Sequence, residues 1–112
     1  MKREDTFVNE GNRYYFDFKA CTPDKGYAQV DSEKDAWYYG MWANPIELKI
    51  VSYCEGDISV QTAETPGEFA DELRRINEWN VTQGYKPIGI DTLCRENITA
   101  KFNELGLTEL LH

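Results

Sequence analysis

Acid–base and metal chemistry near neutral pH lean on histidine, and this sequence holds a single one, His112, its last residue. Ser-His-Asp and Cys-His arrangements therefore lack a positioned base, and a histidine-built metal site lacks ligands. The cysteines Cys21, Cys54 and Cys94 are widely spaced and form no C-x-x-C pair, which argues against both a zinc site and a disulfide framework. They are expected to be reduced and mostly buried thiols. Neither G-x-G-x-x-G nor a P-loop lysine motif is present, so no nucleotide cradle is expected. Asp31-x-Glu33-x-Asp35 has the spacing that opens a calcium loop. However, Ala36 stands where that loop needs glycine, and Trp42 where it needs a bidentate glutamate. Paired carboxylates could still serve as acid and base, but twenty Asp and Glu in 112 residues bring some pairs together by numbers alone. No catalytic residue, metal ligand or cofactor is assigned, and a non-enzymatic role is favoured. Asn80-Val81-Thr82 and Asn97-Ile98-Thr99 match the glycosylation triplet, but both fall in or beside expected helices and read as coincidental.

The elements that must carry these residues follow from periodicity. Residues 13–20 alternate, with Tyr14, Phe16 and Phe18 on one face and Arg13, Asp17 and Lys19 on the other. Residues 9–12 read as a turn, so residues 6–8 form a short strand pairing back on it. A loop at 22–26 precedes a short strand at 27–30. Asp31 to Asp35 is a polar connection, and residues 36–42 are an aromatic strand broken by Ala43-Asn44-Pro45. Residues 46–54 read as the clearest strand, with Ile46, Leu48 and Ile50 on one face, and Glu55-Gly56-Asp57 turns it into a strand at 58–62. Thr65-Pro66-Gly67-Glu68 then combines an N-cap, a first-position proline and a glutamate three residues on, starting a helix over about residues 66–82. Its apolar face comprises Phe69, Leu73, Ile76 and either Trp79 or Asn80, and Gly84 stops it. After an extended stretch at 86–90, a second helix spans about residues 92–105, with Leu93, Ile98, Phe102 and Leu105 apolar and Gly106 ending it. A last turn is expected at 107–112. The expected architecture is a single α+β domain over residues 1–112, an antiparallel meander of about five to six strands followed by two helices packed on one sheet face.

Charge is distributed unevenly. The net charge is −8, yet residues 1–30 and 73–112 each balance to zero, while residues 31–72 carry ten acids against Lys34 and Lys49. Some of that excess (Glu64, Glu68, Asp71 and Glu72) belongs near a helix N-terminus, where the macrodipole favours it. Asp71 with Arg75 and Arg74 with Glu78 are expected as i,i+4 pairs. The turn acids are different. In an up-and-down meander, alternate turns share an end, which would gather Glu10, Asp31, Glu33, Asp35, Glu55 and Asp57. Solubility alone accounts for such a cluster; an anionic surface for a basic partner is the functional reading. Beside it, Trp37-Tyr38-Tyr39-Gly40-Met41-Trp42 places aromatics on both strand faces, with Tyr38 and Trp42 together on one, extended by Tyr15 and Tyr53. That indicates a second core, a homodimer interface or a set of partner anchors.

These features exclude some classes and favour others. A pI near 4.6 opposes direct nucleic-acid binding. No apolar run is long enough to span a membrane, and Met1 to Asp5 leads into no apolar segment, so a cytoplasmic location is expected. A small, acidic, histidine-poor and aromatic-rich chain resembles in general make-up the accessory proteins of phages and plasmids. The favoured function is a protein-binding module that presents Asp31, Glu33, Asp35, Glu55, Asp57, Tyr38 and Trp42 to a basic protein surface. The nucleic-acid channel of a larger protein would be such a surface, and occupying it would make this chain an inhibitor that mimics DNA charge. The alternatives are a small-ligand binder or enzyme with a pocket between sheet and helices, and a structural homo-oligomer.

Overall fold

A computed structural model describes residues 2–7, 21–32, 39–54, 57–90 and 95–111. Among these residues there are five strands, β1 (Lys2–Phe7), β2 (Ala28–Ser32), β3 (Tyr39–Asn44), β4 (Lys49–Cys54) and β5 (Asp57–Thr62), followed by two helices, α1 (Pro66–Thr82) and α2 (Glu96–Glu104). Strands β2 to β5 form an antiparallel meander, and β1 lies antiparallel beside β5, giving the order β1-β5-β4-β3-β2. The expected α+β class and antiparallel sheet hold. The strand expected over 13–20 and the turn at 9–12 lie outside the described residues.

Several boundaries differ from the sequence reading. β1 covers Lys2–Phe7 and pairs with β5, where a short strand at 6–8 pairing back on residues 13–20 is expected. β3 runs on through Ala43 and Asn44, and α2 is shorter than the expected 92–105. Asp31 and Ser32 continue β2 instead of opening a connection. Residues 45–48 form a turn, so Ile46 and Leu48 are not strand residues, although Leu48 still packs against the apolar cluster that holds Ile50. The cause is Asn44, fully buried at the end of β3. Its Oδ1 accepts from the Ile46 and Glu47 backbone N–H groups at 3.0 and 2.9 Å, while its Nδ2 donates to the Lys25 carbonyl and to Glu47 Oε2, each at 3.2 Å. An asparagine that satisfies its own following backbone makes a turn out of residues whose apolar alternation alone reads as strand. Ile46 is left exposed, and Leu48 leaves the turn at φ 60°.

The helices begin and end as their sequences dictate. Thr65 Oγ1 accepts from the Glu68 N–H at 3.1 Å, and Pro66 opens α1. At the other end Gly84 takes φ 79°, the Gly84 N–H bonds the Val81 carbonyl, and the Tyr85 N–H bonds the Asn80 carbonyl at 2.8 Å. That paired arrangement is a Schellman motif. α2 ends identically, with Gly106 at φ 75° bonding Asn103 and Leu107 bonding Phe102. A 3-10 turn at Thr108–Leu110 follows. The expected i,i+4 ion pairs on α1 are replaced. Arg75 pairs with Glu72, and Arg74 sits 3.6 Å from Asp71 while donating to the Gly106 carbonyl at 2.8 Å and reaching Glu109 at 3.4 Å. Arg74 is drawn across to the orphan carbonyl at the end of α2, which leaves Glu78 without it.

Two apolar clusters organise the interior. The larger joins Ala28, Val30, Met41, Ala43 and Ile50 of the strands to Phe69 and Leu73 of α1 and to Ile98 and Phe102 of α2, together with Ile88, Ile90, Leu107 and Leu110. Phe69 and Phe102 stack with ring centroids 6.5 Å apart. The smaller lies on residues of opposite strand parity and contains Cys21, Tyr27, Val51 and Ile58, with Trp42, Tyr53 and Val60 packed against it. Both faces of the central strands therefore carry apolar side chains. No helix among the described residues is long and apolar enough to cross a membrane.

Candidate functional site

The site is built from the end of the sheet where β2 finishes. β2 and β3 pair Ala28 with Ala43 and Gln29 with Trp42, and the register then slips so that Asp31 opposes Met41 and Val30 has no opposite number. This is a β-bulge, and its consequence is directional. Strict alternation would send Val30 and Asp31 to opposite faces. With the extra residue, Val30 joins the larger cluster while Asp31 is also available to α1: Asn80 Nδ2 donates to Asp31 Oδ2 at 3.0 Å. The same Asn80 amide donates to the Lys86 carbonyl at 3.1 Å, and Asn77 Oδ1 accepts the Ile88 N–H at 3.0 Å. Tyr39, across the sheet on β3, hydrogen-bonds Asp31, and its phenol is pushed well above the usual tyrosine range, first by burial and then by the Asp31 charge. Asp31, Tyr39 and Asn80 form one partly buried polar knot between β2, β3 and α1. The buried residue on the inner side of α1 is therefore Asn80; Trp79 points outward. With Asn80 buried and its amide engaged, the triplet beginning there presents no free acceptor nitrogen.

The acids expected to share an end are placed as follows. β2 ends at Ser32 and β3 begins at Tyr39; β4 ends at Cys54 and β5 begins at Asp57, with Cys54 paired to Asp57 and to Tyr39 across the ladder. These four termini lie at the same end of the sheet. The chain from Ser32 to Tyr39 carries Glu33 and Asp35, and the two residues from Cys54 to Asp57 include Glu55. Glu33, Asp35, Glu55 and Tyr38 themselves lie outside the described residues. Asp31 does not stand among free turn acids: its carboxylate is engaged in the knot with Asn80 and Tyr39.

Trp42 is likewise engaged. A Cβ built on Gly40 would stand 2.6 Å from the Trp42 ring, so the indole lies over Gly40 on its own strand and packs against the smaller cluster. Any side chain at that position would force the ring to shift, since it occupies the space of a Cβ. The aromatic strand thus contributes to a second core, against which Trp42 packs partly buried. Tyr27, buried in the same cluster, has its phenol pushed up to about 12 by burial, with smaller contributions from Cys21 and Glu47. Cys21 is buried as expected, whereas Cys54 is exposed at the end of β4; neither forms a disulfide among the described residues, and Cys94 lies outside them. No group of three or more His, Cys, Asp or Glu side chains capable of holding a metal ion occurs among the described residues.

The exposed aromatics are elsewhere. Trp79 and Tyr85 are 52% and 60% exposed, and their ring centroids stand 5.6 Å apart at 44°. They occupy the two positions of the Schellman motif at the end of α1 that commonly touch. The sequence reading missed them as a pair, although Trp79, Gly84 and Tyr85 carry the motif's spacing. Compared with known proteins, no family model, no curated protein and no solved structure matches this chain.

Proposed function

We propose that this chain is a non-enzymatic protein-binding module whose acidic sheet end meets a basic protein surface. The observation that carries the reading is the strand order. An antiparallel β2-β3-β4-β5 ladder starts and ends two links at the same end of the sheet, and both links carry acids: Glu33 and Asp35 in one, Glu55 in the other, followed by Asp57. Concentrated like charge costs stability through self-repulsion and speeds the approach of an oppositely charged partner. We take the two helices to cover one sheet face, since the larger apolar cluster draws on both, and the sheet end is the functional surface in this reading. A partner that normally holds nucleic acid has a channel of matching sign, and occupying it would inhibit by mimicking DNA charge.

The test replaces Glu33, Asp35, Glu55 and Asp57 together with lysine. Tagged wild-type and variant proteins are used to capture partners from the source cell, followed by elution in a salt gradient. The expected outcome is a basic, nucleic-acid-handling protein held by the wild type alone and released by modest salt. Equal capture by the variant would overturn the electrostatic reading.

A further inference from the structure

We infer that the Trp79–Tyr85 pair is the aromatic anchor of this surface, taking guanidinium groups of the basic partner against its ring faces; the inference rests on the acidic-end reading above. The pair belongs to the acidic end by construction. β5 runs away from that end, from Asp57 to Thr62, and α1 runs back over roughly 25 Å of helix. Its last turns return to β2, where Asn80 bonds Asp31 at 3.0 Å. Trp79 is the neighbour of Asn80, and Tyr85 lies one residue before Lys86, whose carbonyl the same amide holds. The aromatic pair and the end of β2 are thus tied to one polar knot through Asp31.

Chemistry then selects the occupant. The exposed apolar side chains at this helix end are Trp79, Tyr85 and the aliphatic Val81, and the two rings are electron-rich, with faces that attract cations. The helix end beside them adds the negative pole of α1, and the last turn of α1 contains no basic residue to neutralise it. Glu78 is exposed next to Trp79 and takes part in no ion pair among the described residues. Lys86, one residue after Tyr85, and Arg75, four residues before Trp79 and held by Glu72, are the exposed basic side chains nearest the pair in sequence. Arginine suits such a site better than lysine, because its planar head stacks on a ring while its edge bonds carboxylates. The two rings present too little area for a stable dimer on their own, which needs about 800 Å² from each partner, so they suit side-chain anchoring within a larger charged contact.

The probe is an oligo-arginine peptide, titrated into isotopically labelled protein while the backbone amide signals of Gly84 and of residue 85 are followed in every variant, together with the Trp79 indole N–H in the chains that retain it. Wild type should bind with a shift of those signals. Trp79→Ala and Tyr85→Ala, both at exposed positions, should each bind about fivefold more weakly, and Trp79→Phe should retain most of the affinity. The four-site lysine variant separates the two readings. If it loses the peptide while Trp79→Ala binds as wild type, the anchor is wrong and the acidic-end reading stands. If it binds as wild type while Trp79→Ala is weakened, the acidic-end reading fails and the ring pair alone takes the cation. No binding by wild type, equal binding of an oligo-glutamine peptide, or a wild-type dimer in sedimentation that Trp79→Ala dissolves would overturn the anchor.

Discussion

Burial and the Asp31 carboxylate both keep the proton on Tyr39, and burial does the same for Tyr27, whose phenol titrates at about 12. In the unfolded chain each would ionise near the ordinary tyrosine value of about 10. Below that pH both states hold the proton and the stabilisation is complete; above it the unfolded chain releases protons that the folded chain retains, so stability falls as pH rises through the folded values. Urea melts should show the midpoint dropping steadily from about pH 10 upward. Tyr39→Phe should flatten that drop while losing stability at neutral pH, because it strips a hydrogen bond from Asp31. A slope unchanged in Tyr39→Phe would show that Tyr39 does not carry it. This residue-level chemistry was not legible in the sequence. Asp31 reads there as one of three alternating turn acids, and only the unpaired Val30 of the bulge turns it towards Asn80. Asn44 hid similarly: a single amide organising four contacts has no periodicity to betray it.

At the scale of elements, the two helix ends offer a controlled comparison. Gly84 and Gly106 share a left-handed backbone and the same pair of hydrogen bonds, so alanine at either should cost about 1 kcal/mol from conformation alone. Their surroundings differ. A Cβ at Gly84 meets nothing within 4 Å, whereas one at Gly106 stands 3.4 Å from the Arg74 guanidinium that holds its carbonyl. Thermal melts should therefore rank Gly106→Ala as more destabilising than Gly84→Ala, and the reverse order would show that Arg74 contributes little. Helix α1 was legible from Thr65 to Thr82 because cap, proline and apolar spacing agree. The helix ends were legible from the glycines. The strand at 46–54 was over-read because alternation in Ile46, Leu48 and Ile50 carries no information about a side chain that binds its own backbone. The aromatic strand was readable as two-faced, but the sequence could not say that a missing Cβ at Gly40 folds Trp42 down instead of leaving it free.

For the molecule as a whole, a charge of −8 with its entire excess in residues 31–72 predicts that added salt stabilises the fold by screening self-repulsion. The four lysine substitutions each add two charges, bringing −8 to zero, so the melting temperature of that variant should depend far less on salt than that of the wild type. A wild-type melting temperature that ignores ionic strength between about 0.01 and 0.15 M would mean the acids are too dispersed to act as a field. The same charge keeps copies apart in solution, but the sheet carries another safeguard. Gly89 donates its N–H to the Val30 carbonyl at 2.9 Å, so at the bulge the outer side of β2 is already taken by the chain's own segment after α1. An endless fibre requires every copy to accept a neighbour on both sides. A neighbour adding along β2 would meet a ladder already interrupted at Val30, so growth of a stack on that side loses the regular pairing it depends on.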